Sequence, residues 1–130
     1  MILDDEHLQL KKGVADFANR EVLPIADALD REAQEIPMPI VERMAELGYF
    51  GLGIPEAYGG VATDHLSIAV VTEELSRAWL SVGSVMTRLL IAATLIEKNG
   101  TEEQKKKYLP RLATGELLTA AAFTEPNAGS

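Results

Sequence analysis

The chain has 130 residues, 47% of them hydrophobic, with 20 Asp and Glu against 12 Lys and Arg for a net charge of −8. That length supports one domain with a single core, and the acid excess, with no basic cluster interleaved with aromatics, speaks against nucleic acid as a partner. The lack of Cys excludes a disulfide framework and any thiolate metal site, and His7 and His65 are too far apart to give a metal-ligand spacing.

The start, Met1-Ile2-Leu3-Asp4-Asp5-Glu6, has neither the positive region and apolar stretch of a signal peptide nor the arginines of a transit peptide. The expectation is a mature chain in a bacterial cytoplasm, or in the mitochondrial matrix if the source is eukaryotic. From Asp5 to about Glu32, Leu10, Val14, Phe17, Ala18, Val22, Ile25 and Leu29 recur at helical spacing. Pro24 removes one backbone donor within this stretch, so a kink is expected near Val22. A short second helix is predicted from Pro39, through Ile40, Val41, Met44 and Leu47, to Gly48.

Tyr49 to Gly60 is dense in Gly, Pro and aromatics and reads as an ordered loop. Asp64 is placed to cap a third helix running to about Trp79, itself expected in the core. A fourth helix, about Val82 to Lys98, is apolar nearly all round and is expected at the hub of a bundle, with Asn99-Gly100 as a left-handed stop. The apolar run from Leu80 to Ile96 is short for a bilayer and carries Arg88, so no membrane span is predicted. Thr101 with Gln104 forms a capping-box pattern that starts a fifth helix, expected to stop at Leu109 before Pro110.

Leu117 to Phe123 reads as a strand with no partner strand upstream, followed by the polar loop Thr124-Glu125-Pro126-Asn127-Ala128-Gly129-Ser130. The predicted fold class is therefore all-α, an up-and-down bundle of about five helices ending in an orphan strand and loop. An unpaired apolar strand also invites pairing with a second chain.

A strand leading into Thr-Glu-Pro-x-x-Gly-Ser resembles the flavin-binding loop of the acyl-CoA dehydrogenase family. Gly51-Leu52-Gly53-Ile54-Pro55-Glu56, Tyr58-Gly59-Gly60, Glu73-Glu74-Leu75-Ser76-Arg77, Gly100 to Lys105 and Tyr108-Leu109-Pro110 stand in an order that resembles the same family over nearly the whole chain. The resemblance implies an amino-terminal helical domain at residues 1–116 and the start of a middle β domain at 117–130, broken off inside the loop. It implies FAD as cofactor, contacted by Ala121, Phe123, Thr124, Gly129 and Ser130, with Gly129 permitting close backbone approach. It also implies an acyl-CoA thioester near Ser130, electron-transferring flavoprotein as redox partner and a tetrameric parent. Ala121 departs from the pattern, since many relatives carry an aromatic there.

By the same resemblance the catalytic carboxylate belongs to a later segment, so no catalytic residue is assigned and the segment alone is expected to be inactive. Glu73, Glu74 and Arg77 read instead as solvated helix ion pairs. Arg88 must find a partner or water, either in an ion pair with a bundle neighbour or on a polar group of the acyl chain, with Met86, Thr87 and Leu90 shaping a pocket floor. His7 and His65 read as exposed structural residues. Two other readings stay open: an acyl-CoA oxidase or flavin monooxygenase on the same fold, and a cofactor-free helical interaction module.

Overall fold

The computed structural model describes residues 3–61 and 63–121. Helix α1 (Asp5–Phe17) starts at Asp4, whose carboxylate accepts from the His7 backbone amide at 3.0 Å. It passes without a break through a π-helical turn, Ala18–Val22, into α2 (Leu23–Arg31). Pro24 cannot donate to the carbonyl of Arg20, and the wide turn absorbs that missing bond at the expected kink. Val14, Phe17, Ala18, Val22 and Ala26 all face the core across the junction.

Helix α3 (Met38–Glu46) has Pro39 in its first turn and leads through Leu47 to Gly48, whose φ of 77° turns the chain sharply. The following segment is ordered as expected: Tyr49–Gly51 and Glu56–Tyr58 are short 3-10 turns, and an isolated parallel bridge joins Leu52 to Val61. A Cβ on Gly60 would lie 1.9 Å from the Ile54 carbonyl oxygen, so only glycine lets the two backbone stretches meet. Burial pushes the Tyr49 hydroxyl up to about 12, and its ring meets Phe17 edge to face.

Helix α4 (His65–Ala78) is capped by Asp64, which accepts from Ser67 N at 2.7 Å. Trp79 is a single extended residue between α4 and α5 (Leu80–Asn99); it is buried, as expected, and its indole donates to Asp30 Oδ1 at 2.9 Å. Helix α6 (Glu102–Ala113) opens with both capping-box bonds between Thr101 and Gln104. Helix α1 packs on α4, α4 on α5 and α5 on α6, with the Tyr49–Gly51 turn against α5 and α6. Counting α1, the π turn and α2 as one, the described residues form an all-α bundle of five helices without a strand.

Five details differ from expectation. Helix α6 runs through Pro110 to Ala113, because one lost hydrogen bond is outweighed by keeping Leu109, Leu112 and Ala113 in the core. Gly100 is extended rather than left-handed, since it is the residue just before the α6 cap.

Helix α5 is not a buried hub: Leu80, Ile91 and Leu95 are 74%, 47% and 52% exposed. It is long and apolar enough to cross a membrane by length and composition, yet it packs in the bundle and bears Arg88.

His7 is buried, not exposed: its ring lies between Asp4 and Asp64, 3.0 Å from Asp64 Oδ2. Glu74 is likewise buried, accepting from Arg77 Nε at 2.8 Å with Lys11 Nζ 3.5 Å away, so it ties α1 to α4 rather than standing in solvent. His65 is exposed, as expected.

Candidate functional site

The way out of the bundle is built by the end of α6. Gly115, at φ 73°, sits so close to Ala45 and Phe50 that a Cβ would lie 2.8 Å from the Ala45 methyl. Arg111 then grips the next turn twice: its carbonyl accepts from Leu117 N at 3.0 Å and its Nε donates to Glu116 at 2.7 Å. This fixed exit lays Leu118 and Thr119 beside α5, where with Val85, Arg88 and Leu89 they line a cleft of about 120 Å³.

Arg88 is exposed and its Nε donates to the Ser84 carbonyl at 3.2 Å. Among the described residues no carboxylate pairs with it, whereas Arg31, Arg43, Arg77 and Arg111 each hold one. The expected ion pair with a bundle neighbour is therefore not formed among these residues. Thr119 lines the same cleft, and its hydroxyl is buried with no hydrogen-bond partner among the described residues. Sequence reasoning missed Thr119, because nothing in its neighbours along the chain signals an unmet bond.

Of the predicted substrate-side residues, Met86 is 1% exposed and belongs to the core, and Leu90 reaches over Gly53 on the ordered loop. Thr87 satisfies its hydroxyl on the Ser84 carbonyl at 3.1 Å. None of the three lines the cleft. Of the predicted flavin contacts, Ala121 is exposed at the end of the exit segment, while Phe123, Thr124, Gly129 and Ser130 lie outside the described residues. No backbone hydrogen bond engages Leu118 to Ala121 among the described residues.

A surface groove of about 620 Å³ lies between α3 and the end of α6, and its lining includes Glu42, Glu46 and Glu116. Three carboxylates make it a poor seat for an anionic thioester. Among the described residues no group of three or more His, Asp or Glu is placed to hold a metal ion.

The chain belongs to the acyl-CoA dehydrogenase family: residues 4–116 match the family's "Acyl-CoA dehydrogenase, N-terminal domain". It is 48% identical over 98% of its length to a (2S)-methylsuccinyl-CoA dehydrogenase of Cereibacter sphaeroides, of which it covers 23%. The structure of a glutaryl-coenzyme A dehydrogenase in complex with glutaryl-CoA superposes with a TM-score of 0.90 at 36% identity, over 99% of this chain and 33% of that one. An acyl-CoA dehydrogenase from Bacillus anthracis complexed with FAD gives 0.87 at 39% identity, over 98% of this chain and 22% of that one. The chain thus spans between about a fifth and a third of the length of these proteins.

Proposed function

We propose that this chain is the amino-terminal helical domain of an FAD-dependent acyl-CoA dehydrogenase that oxidises an acyl-CoA to the trans-2-enoyl thioester and passes electrons to electron-transferring flavoprotein. The observation that carries the reading is the family match over residues 4–116, joined in sequence to the loop Thr124 to Ser130.

The residues present suit such a cofactor. Ala121 is exposed, and no backbone hydrogen bond engages it among the described residues. Phe123, Thr124, Gly129 and Ser130 would continue that contact, with Ser130 also beside the coenzyme A portion. When bound, the flavin supplies hydride acceptance, while the chain binds and orients. The bundle anchors the chain as far as Leu117, through the tight seat of Gly115 and the Arg111 carbonyl, so the segment leading to the loop starts from a set position. The buried carboxylate of the bundle, Glu74, is committed to Arg77 and Lys11, and this part of the enzyme positions ligands while proton abstraction falls to a carboxylate elsewhere in the parent.

An assembly of several subunits fits the exposed apolar face of α5, and a bacterial cytoplasm or mitochondrial matrix fits the family. The test is an intact mass and a visible spectrum on the purified native protein, followed by turnover with an acyl-CoA and an artificial electron acceptor under argon and in air. A yellow protein, several times heavier than 14.1 kDa, that reduces the acceptor and reacts slowly with oxygen supports the dehydrogenase. Rapid oxygen consumption would instead favour an oxidase or monooxygenase on this fold. A colourless native protein of 14.1 kDa would favour a cofactor-free helical module.

A further inference from the structure

We propose that the His7 ring is a proton-operated clasp between the starts of α1 and α4: as imidazolium it holds Asp4 and Asp64 together, and as neutral imidazole it keeps Asp4 and releases Asp64. The proposal stands on the geometry of the bundle and is independent of the proposed function.

The buried ring meets a carboxylate at each nitrogen. Nδ1 faces Asp4 Oδ1, and Nε2 lies 3.0 Å from Asp64 Oδ2 and 3.3 Å from Asp64 Oδ1, 57 residues along the chain. A carboxylate only accepts, so both contacts are hydrogen bonds only while both ring nitrogens carry a proton. Neutral imidazole has one N–H and turns a lone pair toward the other carboxylate. One contact must then open, and the surroundings decide which. Asp4 is three residues from His7 and its Oδ1 also accepts from the His7 backbone amide, so the chain itself keeps that pair together. Asp64 is brought to the ring only by the packing of α1 on α4, and its Oδ1 has a second use in accepting from Ser67 N at 2.7 Å. The Asp64 side chain is 59% exposed, so it can turn from the ring toward water while still capping α4.

The opening is confined to the helix starts. Lys11, one turn along α1, donates to Glu73 at 3.2 Å and lies 3.5 Å from the buried Glu74. Glu73 first and Glu74 after it hold that ammonium above its ordinary 10.5, so the second tie between α1 and α4 stays charged while the imidazole titrates. Asp5, Glu6 and His65, the other ionisable groups at the two starts, are exposed. Burial pulls the His7 ring down, yet Asp4 and Asp64 outweigh it and hold it above 6.5, so the clasp is closed below that pH and opens as pH rises through the raised value.

The experiment is NMR on the 130-residue chain carrying His65→Gln, which leaves His7 as its one imidazole. Ring ¹⁵N, side-chain carboxyl ¹³C and backbone amide shifts are followed from about pH 5.5 to 9.5. The expected result is a His7 midpoint above 6.5, a neutral form with its proton on Nδ1, and Asp64 Cγ and Ser67 amide shifts that follow the same midpoint. In His7→Gln those two shifts should stop titrating over this range. Asp64→Asn keeps an oxygen that can cap Ser67 while removing the charge, so it should lower the His7 midpoint, and this holds whether or not His7→Gln folds. A midpoint at or below 6.5, a neutral ring protonated on Nε2, Asp64 and Ser67 shifts that persist in His7→Gln, or a midpoint unmoved by Asp64→Asn overturns the clasp.

Discussion

Replacing Gly83 by alanine tests the packing that sets the position of α5, and with it Arg88. A Cβ at Gly83 would stand 1.9 Å from Ser76 Oγ, 2.9 Å from its Cβ and 3.0 Å from its Cα. Rotating the serine relieves only the first contact, because the other two involve atoms fixed to the α4 backbone. Helix α5 must therefore shift away from α4 by a few tenths of an ångström or more, loosening Val71, Leu75, Val82 and Met86, all of which are fully buried. Overpacking of this kind costs about 1–3 kcal/mol. For a domain of this size that corresponds to a fall in melting temperature of roughly 4–12 °C, taking about 4 °C per kcal/mol. Gly13→Ala is the matched control, since its Cβ meets nothing within 4 Å and alanine favours the helix by up to about 1 kcal/mol. Circular dichroism melts should show the two substitutions moving in opposite directions. A Gly83→Ala protein that melts at or above the parent temperature would refute the α4–α5 contact.

Thr101→Ala removes the hydroxyl that accepts from Gln104 N and should cost about 1 kcal/mol, measured by urea denaturation; no change would mean that the cap is not made in solution. The Asp4, His7 and Asp64 cluster predicts a pH dependence. Burial pulls the His7 imidazole down, but Asp4 and Asp64 outweigh it and hold the ring above its ordinary value of 6.5. The stabilisation from His7 is thus complete below about pH 6.5 and fades as pH rises through the raised value. The His7 amide holds Asp4, and the Ser67 amide holds Asp64, below the ordinary 3.8, so their contribution is present above that pH and fades in acid. His7→Gln should flatten the fall in melting temperature between about pH 6.5 and 9, and equal slopes in both proteins would show that the ring is not the titrating group. Leu80, Ile91 and Leu95 leave α5 with an exposed apolar face, so the isolated chain should self-associate as concentration rises. Sedimentation velocity should show Leu95→Gln weakening that association, and an unchanged profile would place the contact elsewhere.

Local chemistry made much of the architecture legible. Asp64, and Thr101 with Gln104, announce helix starts because a cap is satisfied within a few residues, and the turn of α1 near Val22 follows from the missing donor of Pro24. The loop from Thr124 to Ser130 was recognisable as a motif, although the contacts of Phe123, Thr124, Gly129 and Ser130 fall outside the described residues. Arg88 stood out as a charge in an apolar helix, and the structure places it at the cleft beside the exit segment. Spacing alone puts Met86 on one face of α5 without saying whether that face meets the core or a ligand, because the two share the same helical period.

By itself the sequence determined the number of helices, most of their boundaries and the family, since each depends on capping groups, periodicity or short motifs within a few residues of one another. Only the tertiary structure decided that His7 and Glu74 are buried, that α5 keeps one apolar side exposed, that α6 continues through Pro110, and that Thr119 and Arg88 line one cleft. Burial and hydrogen-bond satisfaction depend on which elements pack together, and groups far apart in the chain become neighbours only when the helices close on one another.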